Sequence, residues 1–138
     1  MSTSILQGGC LCGAVAYEID GTPEKFYHCH CRRCRKATGS AHASNILIED
    51  GTLRWVRGED FVRIFKVPEA KRFARQFCVQ CGSGLPRLVK ETGFIVVPAG
   101  SLDNDVPIRP QARIFWDSRA PWSCGTADIP AFAEYPPG

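Results

Sequence analysis

Long apolar runs are missing from this chain of 138 residues, and no stretch is long enough to cross a membrane as a helix. Surplus charge is also scarce. Seventeen Lys+Arg against 14 Asp+Glu leave +3, too little to imply a polyanionic partner by itself. Internal repeats, low-complexity tracts and long linkers are absent, so the length argues for one domain over residues 1–138. Residues 1–9 contain no basic segment followed by an apolar run, so no signal peptide is expected and a cytoplasmic location follows. Without export, disulfides are not expected to persist. With 44% hydrophobic and 22% charged residues, a wholly disordered or collagen-like chain is excluded. What the chain has in excess is cysteine, eight in all, and in a reducing compartment clustered thiols read first as metal ligands.

The rest of the sequence alternates with period two and is broken by Gly and Pro at the spacing of short-stranded β folds. Residues 14–19, 26–29, 61–67, 71–78, 84–89, 94–97 and 112–116 read as short strands. Residues 44–48 and 53–56 read as a hairpin around Glu49-Asp50-Gly51, a tight-turn signal. The one helical candidate is residues 33–38, with Gly39 placed to end it. The fold class expected is mainly β, with at most one short helix, and residues 131–138 read as an extended tail.

Seven of the cysteines fall into three groups. Cys10-Leu11-Cys12 precedes Gly13, Cys29-His30-Cys31-Arg32-Arg33-Cys34 fuses two spacings through Cys31, and Cys78-Val79-Gln80-Cys81 precedes Gly82. Zn–S bonds of about 2.3 Å in a tetrahedron put ligating sulfurs roughly 3.8 Å apart. Residues i and i+2 of a strand share a face, so Cys-x-Cys presents two sulfurs to one ion. In Cys-x-x-Cys a turn does the same, and a following Gly takes the positive φ of such a knuckle. These spacings suggest a four-thiolate site from Cys10, Cys12, Cys78 and Cys81 and a three-thiolate site from Cys29, Cys31 and Cys34. Two pairs and a triplet also combine in other ways. Four ligands mark a structural zinc, three with an open position a reactive one, and up to two zinc ions per chain are expected. Cys124 stands alone as an ordinary thiol.

The segments Gly9-Cys10-Leu11-Cys12-Gly13-Ala14-Val15, Cys29-His30-Cys31-Arg32-Arg33-Cys34-Arg35-Lys36, Phe77-Cys78-Val79-Gln80-Cys81-Gly82 and Ile114-Phe115-Trp116-Asp117-Ser118-Arg119-Ala120-Pro121-Trp122 carry a resemblance. Together they look like the glutathione-dependent formaldehyde-activating enzyme family, whose domain is also seen in centromere protein V. The resemblance implies a β-tent of short antiparallel sheets held by zinc. It implies Cys10, Cys12, Cys78 and Cys81 as structural ligands and Cys29, Cys31 and Cys34 as the catalytic zinc site. The activity it implies is that of a carbon–sulfur lyase on glutathione or related thiol adducts of small aldehydes.

Around the triplet, Arg32, Arg33, Arg35 and Lys36 offset thiolate charge, and Arg32 and Arg35 are candidates to bind the carboxylates of glutathione. A solvated basic face is the plainer reading of the same residues. His28, His30 and His42 are candidate wall or proton-transfer groups, with His28 and His30 pointing away from Cys29 on an extended strand. Trp55, Trp116 and Trp122 fill the core or line the cleft, and Asp117, Ser118 and Arg119 form a polar loop that shapes the site or is a bare turn. A three-thiolate zinc favours soft sulfur ligands over water, which argues for thiol chemistry over hydrolysis. The competing class is a zinc-stabilised binding module for nucleic acid or a protein partner. Basic residues beside a cysteine motif fit nucleic acid, but interleaved aromatics and long basic extensions are missing, so a small-molecule thiol is the expected partner.

Overall fold

Alternating burial organises the chain into three small sheets, seen in a computed structural model that describes residues 4–123 and 126–138. The elements in chain order are β1 (Ser4–Gly9), β2 (Ala16–Gly21), β3 (Pro23–Cys29), α1 (Arg32–Thr38), β4 (Ala43–Glu49), β5 (Thr52–Arg57), β6 (Val62–Lys66), β7 (Ala74–Cys78), β8 (Gly84–Leu85), β9 (Arg87–Val89), β10 (Phe94–Pro98) and β11 (Ala112–Ile114). The first sheet has the order β1-β2-β5, the second β11-β3-β4-β10-β9, and the third β6-β7-β8. The fold is mainly β with one α-helix among the described residues, as expected. All strand pairings are antiparallel except that of β11, which runs parallel to β3. Cys124 lies outside the described residues.

The first two sheets face each other across the core. Tyr17 and Ile19 of β2 and Leu6 of β1 meet Ile46 and Ile48 of β4 and Ile95 and Val97 of β10, each at most 1% exposed. Full burial of such a side chain is worth about 1.5–3 kcal/mol. The Tyr17 hydroxyl, the one polar atom this row brings inside, is bonded to Ser101 Oγ at 2.6 Å. Burial pushes its pKa up to about 12, so it stays protonated.

Residues 44–48 and 53–56 do not pair as the expected hairpin. Asp50 takes φ 57°, so the turn at Glu49-Asp50-Gly51 forms, but it carries the chain from one sheet to another. β4 pairs with β3 and β10, and β5 pairs with β2. The local turn signal was correct, and the partner was chosen by burial, because Trp55 packs edge-on against the buried Tyr17 ring. β1 escapes sequence patterning because two of its six residues are glycines, which have no side chain to alternate. Residues 84–89 split at the buried Pro86 into β8 and β9, which enter different sheets.

At the end of β5, Gly58 has φ 79°, and a Cβ there would collide with the Ala14 carbonyl oxygen just after the first cysteine pair. Gly58→Ala is expected to cost at least about 1–3 kcal/mol through backbone strain alone. Urea denaturation measures this. A loss below about 0.5 kcal/mol, the range of an ordinary surface substitution, would contradict the close approach.

Candidate metal centre

Two turns of similar design bring the first cysteine group together. In the first, Cys10 N–H donates to the Val15 carbonyl at 3.1 Å, and Gly13 at φ 82° donates to the Cys10 carbonyl at 3.2 Å. In the second, Cys78 N–H donates to the Ser83 carbonyl at 3.0 Å, and Gly82 at φ 79° donates to the Cys78 carbonyl at 2.7 Å. Gly82 takes the positive φ expected after Cys-x-x-Cys, whereas Cys10-Leu11-Cys12 lies in a turn after β1 rather than on a strand, with Gly13 supplying the positive φ of that turn. The turns face each other, and the sulfurs of Cys10, Cys12, Cys78 and Cys81 all lie within 4.8 Å of one another. Cys10 and Cys12 Sγ are 3.6 Å apart and Cys12 and Cys78 Sγ 3.9 Å, close to the roughly 3.8 Å that a tetrahedral zinc requires of its sulfurs.

Donors converge on these sulfurs. Val15 N–H donates to Cys10 Sγ at 3.2 Å, and Gln80 Nε2 donates to Cys12 Sγ at 3.3 Å. Burial opposes ionisation of Cys10, but the Val15 N–H and neighbouring thiols outweigh it and hold that thiol below its ordinary value. Hydrogen bonds from the Ser83 hydroxyl and N–H bring Cys81 down to about 5. The Ala14 N–H favours the Cys12 thiolate, yet desolvation and the three adjacent sulfurs push Cys12 up to about 11. Four negative charges cannot share so small a volume, so this donor set fits a soft divalent cation.

The triplet sits where β3 ends and α1 begins. Cys29 is the last residue of β3, Cys31 is the N-cap of α1, and Cys34 lies one turn inside the helix. Cys31 Sγ accepts the Cys34 N–H at 3.3 Å, so a candidate ligand also caps the helix. Gly39 ends α1 at φ 65°, its N–H donating to the Arg35 carbonyl at 2.8 Å. The helix therefore matches its expected course, starting one residue earlier. The three sulfurs lie within 4.8 Å of one another. Cys29 and Cys34 are buried with Ala43, and Phe73 and Ile114 pack against them. The hydrogen bond between Cys34 and Cys29 draws the Cys29 thiol down to about 6 and pushes Cys34 well up, so the free triplet would keep a proton on Cys34 as Cys29 ionises. Both cysteine clusters can thus bind metal ions, and the pairings fall as one of the partitions open in the sequence.

No histidine enters either cluster among the described residues. Instead His28 stacks on His42 with ring centroids 4.0 Å apart, and His30 stands edge-on to Trp116 at 4.9 Å. The guanidinium of Arg119 lies 4.5 Å from the Trp116 ring and that of Arg113 lies 5.4 Å from it. His30 is only 3% exposed, and neither ring nitrogen has a hydrogen-bond partner. Burial first, then the adjacent His42 and the arginines, hold His30 below its ordinary pKa and therefore neutral. Of the basic residues on α1, Arg32 and Arg33 are exposed, whereas Arg35 is half-buried with its Nε lacking a partner.

Sequence reasoning missed Arg75 of β7. Its Nη1 donates to the Ala37 carbonyl in α1 and its Nη2 to the Gly82 carbonyl at 3.0 Å. One guanidinium thus joins the helix of the triplet to the turn of the four-sulfur cluster. Nothing marks it in sequence beyond its strand, because its partners are backbone carbonyls 38 and seven residues away.

The class these features define is a mainly β domain with two all-cysteine clusters able to hold metal ions. The family profile of the glutathione-dependent formaldehyde-activating enzymes matches residues 5–118, and the chain belongs to that family. A search of curated proteins finds no match. Among solved structures, a Rhodobacter sphaeroides protein determined by structural genomics superimposes with a TM-score of 0.58 at 22% identity, over 78% of this chain and 98% of its own. That likeness is one of fold.

Arg75→Ala is expected to cost about 1.5–3 kcal/mol, because it removes charge-assisted bonds to two carbonyls. It should also loosen both cysteine clusters together. Amide hydrogen exchange checks this: protection should fall both in α1 and around Gly82, and a change confined to one of them would contradict the bridge.

Proposed function

We propose that the protein is a zinc-dependent carbon–sulfur lyase acting on glutathione or related thiol adducts of small aldehydes, in the cytoplasm. The observation that carries this reading is the convergence of only three sulfurs, Cys29, Cys31 and Cys34, at the N-terminus of α1, the helix that also carries half-buried Arg35. Cys10, Cys12, Cys78 and Cys81 would hold a structural zinc, and Cys29, Cys31 and Cys34 a second, catalytic one. A zinc ion on three thiolates supplies one open position for a soft sulfur ligand and favours the ionised sulfur near neutral pH, which carbon–sulfur bond making and breaking require.

The chain's own residues bind and orient the substrate. Arg35, with exposed Arg32 on the same helix, would bind the carboxylates of an anionic thiol. His30 and Trp116 form a dry wall on the same strand end, with both His30 nitrogens buried in it. In the lyase direction the carbon–sulfur bond of the adduct breaks, the sulfur keeps the electron pair, and the hydroxyl loses its proton as the aldehyde forms. The activating direction reverses each of these changes.

Cys31→Ser tests the reading without removing the cap, because Ser is itself a favoured N-cap. The variant is expected to remain folded and to lose thiol binding and turnover, measured by calorimetry with glutathione and by release of formaldehyde from its adduct. Arg35→Ala should weaken binding by about 1.5–3 kcal/mol. A wild-type protein that neither binds nor turns over any thiol, or a Cys31→Ser that matches it, would overturn the lyase in favour of a binding module.

The other zinc should hold the fold together. Structural zinc in small peptides is worth about 10–16 kcal/mol, comparable to the ~5–15 kcal/mol of a whole domain. Cys78→Ser is therefore expected to lower the melting temperature sharply and to remove the destabilising effect of a chelator seen in wild type. An unchanged melting temperature would sink the structural role.

A further inference from the structure

Three strand edges bound a cavity that contains no cysteine. β5 is the outer strand of the first sheet, β9 of the second and β6 of the third, and their side chains enclose a groove of about 690 Å³. Its walls are apolar and partly aromatic, with Leu53 and Trp55 from β5, Ile64 from β6, Phe73 before β7 and buried Ile95 beneath. Its rim is cationic. Lys66, Lys71, Arg72, Arg87 and Lys90 line it with Glu91 as the one carboxylate.

Five cations less one carboxylate give +4 in this groove, whereas the whole chain carries +3. The rest of the chain sums to −1, although α1 carries a second group of four cations, Arg32, Arg33, Arg35 and Lys36. No side-chain hydrogen bond or salt bridge within 4.0 Å ties down any of the five cations among the described residues, although the chain forms such pairs elsewhere, as between Arg109 and Asp105 at 3.0 Å. Arg87 is half-buried beside Glu91, with which it interacts electrostatically, and a bound anion would add to the charge that Arg87 faces. The volume falls within the ~300–1,000 Å³ of small-molecule sites, too small for a folded partner.

We propose that this groove is a binding site for a small organic anion with an aromatic or branched apolar body, its acid group held by the Arg87–Lys90 and Lys71–Arg72 rim and its body lying between Trp55 and Phe73. This site does not depend on the lyase reading. Phe73 also packs against the Cys29, Cys34 and Ala43 cluster, so one ring separates the groove from the triplet.

The test is a fluorescence titration of the full, metal-loaded chain with 1-anilinonaphthalene-8-sulfonate, followed by displacement with 1-naphthoate. Saturable binding of one probe per chain is expected, with displacement by naphthoate but not by the uncharged naphthalenemethanol. Lys71→Glu/Arg72→Glu, on the exposed segment before β7, should weaken binding at least tenfold while its melting curve stays that of wild type. Arg87→Gln should weaken binding as well, which gives a second variant should the first disturb the loop. Probe binding that does not saturate, or that is unchanged in a variant with a wild-type melting curve, would overturn the proposal. Displacement by a short DNA duplex at lower concentration than by naphthoate would overturn the small-molecule assignment.

Discussion

Everything near the metal centre depends on the meeting of two cysteine turns that are 66 residues apart in the chain, Cys12 against Cys78. Closing a loop of that length by side-chain packing alone costs conformational entropy that a few exposed residues cannot offset. Cys12 is exposed, and Cys10 and Cys81 are only half-buried, so burial contributes little at three of the four positions. A metal ion held by the four sulfurs would be strong enough to fix them. With the turns fixed, β1 and β2 on one side and β7 and β8 on the other are held in register, and Arg75 extends that rigidity to the helix of the triplet.

The two clusters use the same donor atom in different surroundings. The four-sulfur cluster lies at a turn-to-turn contact with backbone and side-chain donors aimed at its sulfurs, which suits a saturated and inert site. The three-sulfur cluster is built on a strand end and a helix start, where a capping sulfur and two buried ones leave the donor set one short. Adjacent to its cysteines in sequence are Arg35, with a buried Nε that lacks a partner, and His30, whose ring nitrogens are buried against His42 and Trp116. Buried polar atoms without partners are costly in a folded protein.

The sequence carried the chemistry more clearly than the topology. Cysteine spacing announced both clusters, and the following glycines the four-sulfur one, because a thiolate pair needs one of a few local geometries and those geometries are written within a few residues. Gly39 likewise announced the end of α1. Strand partnership was not local, so the turn at Asp50-Gly51 was visible while the sheet that β5 joins was not. The choice depended on Tyr17 and Trp55, residues far apart in sequence. Arg75 and the groove were hidden for the same reason: one binds carbonyls and the other gathers cations from β6, β7's approach and β9, none of which forms a run.

The central claim is that two all-sulfur zinc sites differ by one open position. Zinc-edge X-ray absorption on the purified chain, with and without glutathione, measures it directly. The expected result is a mean of about 3.5 protein sulfurs per zinc at about 2.3 Å, with water completing the open site, rising to about 4 sulfurs when the thiol is added. A shell containing histidine nitrogen, or one that glutathione leaves unchanged, would contradict it.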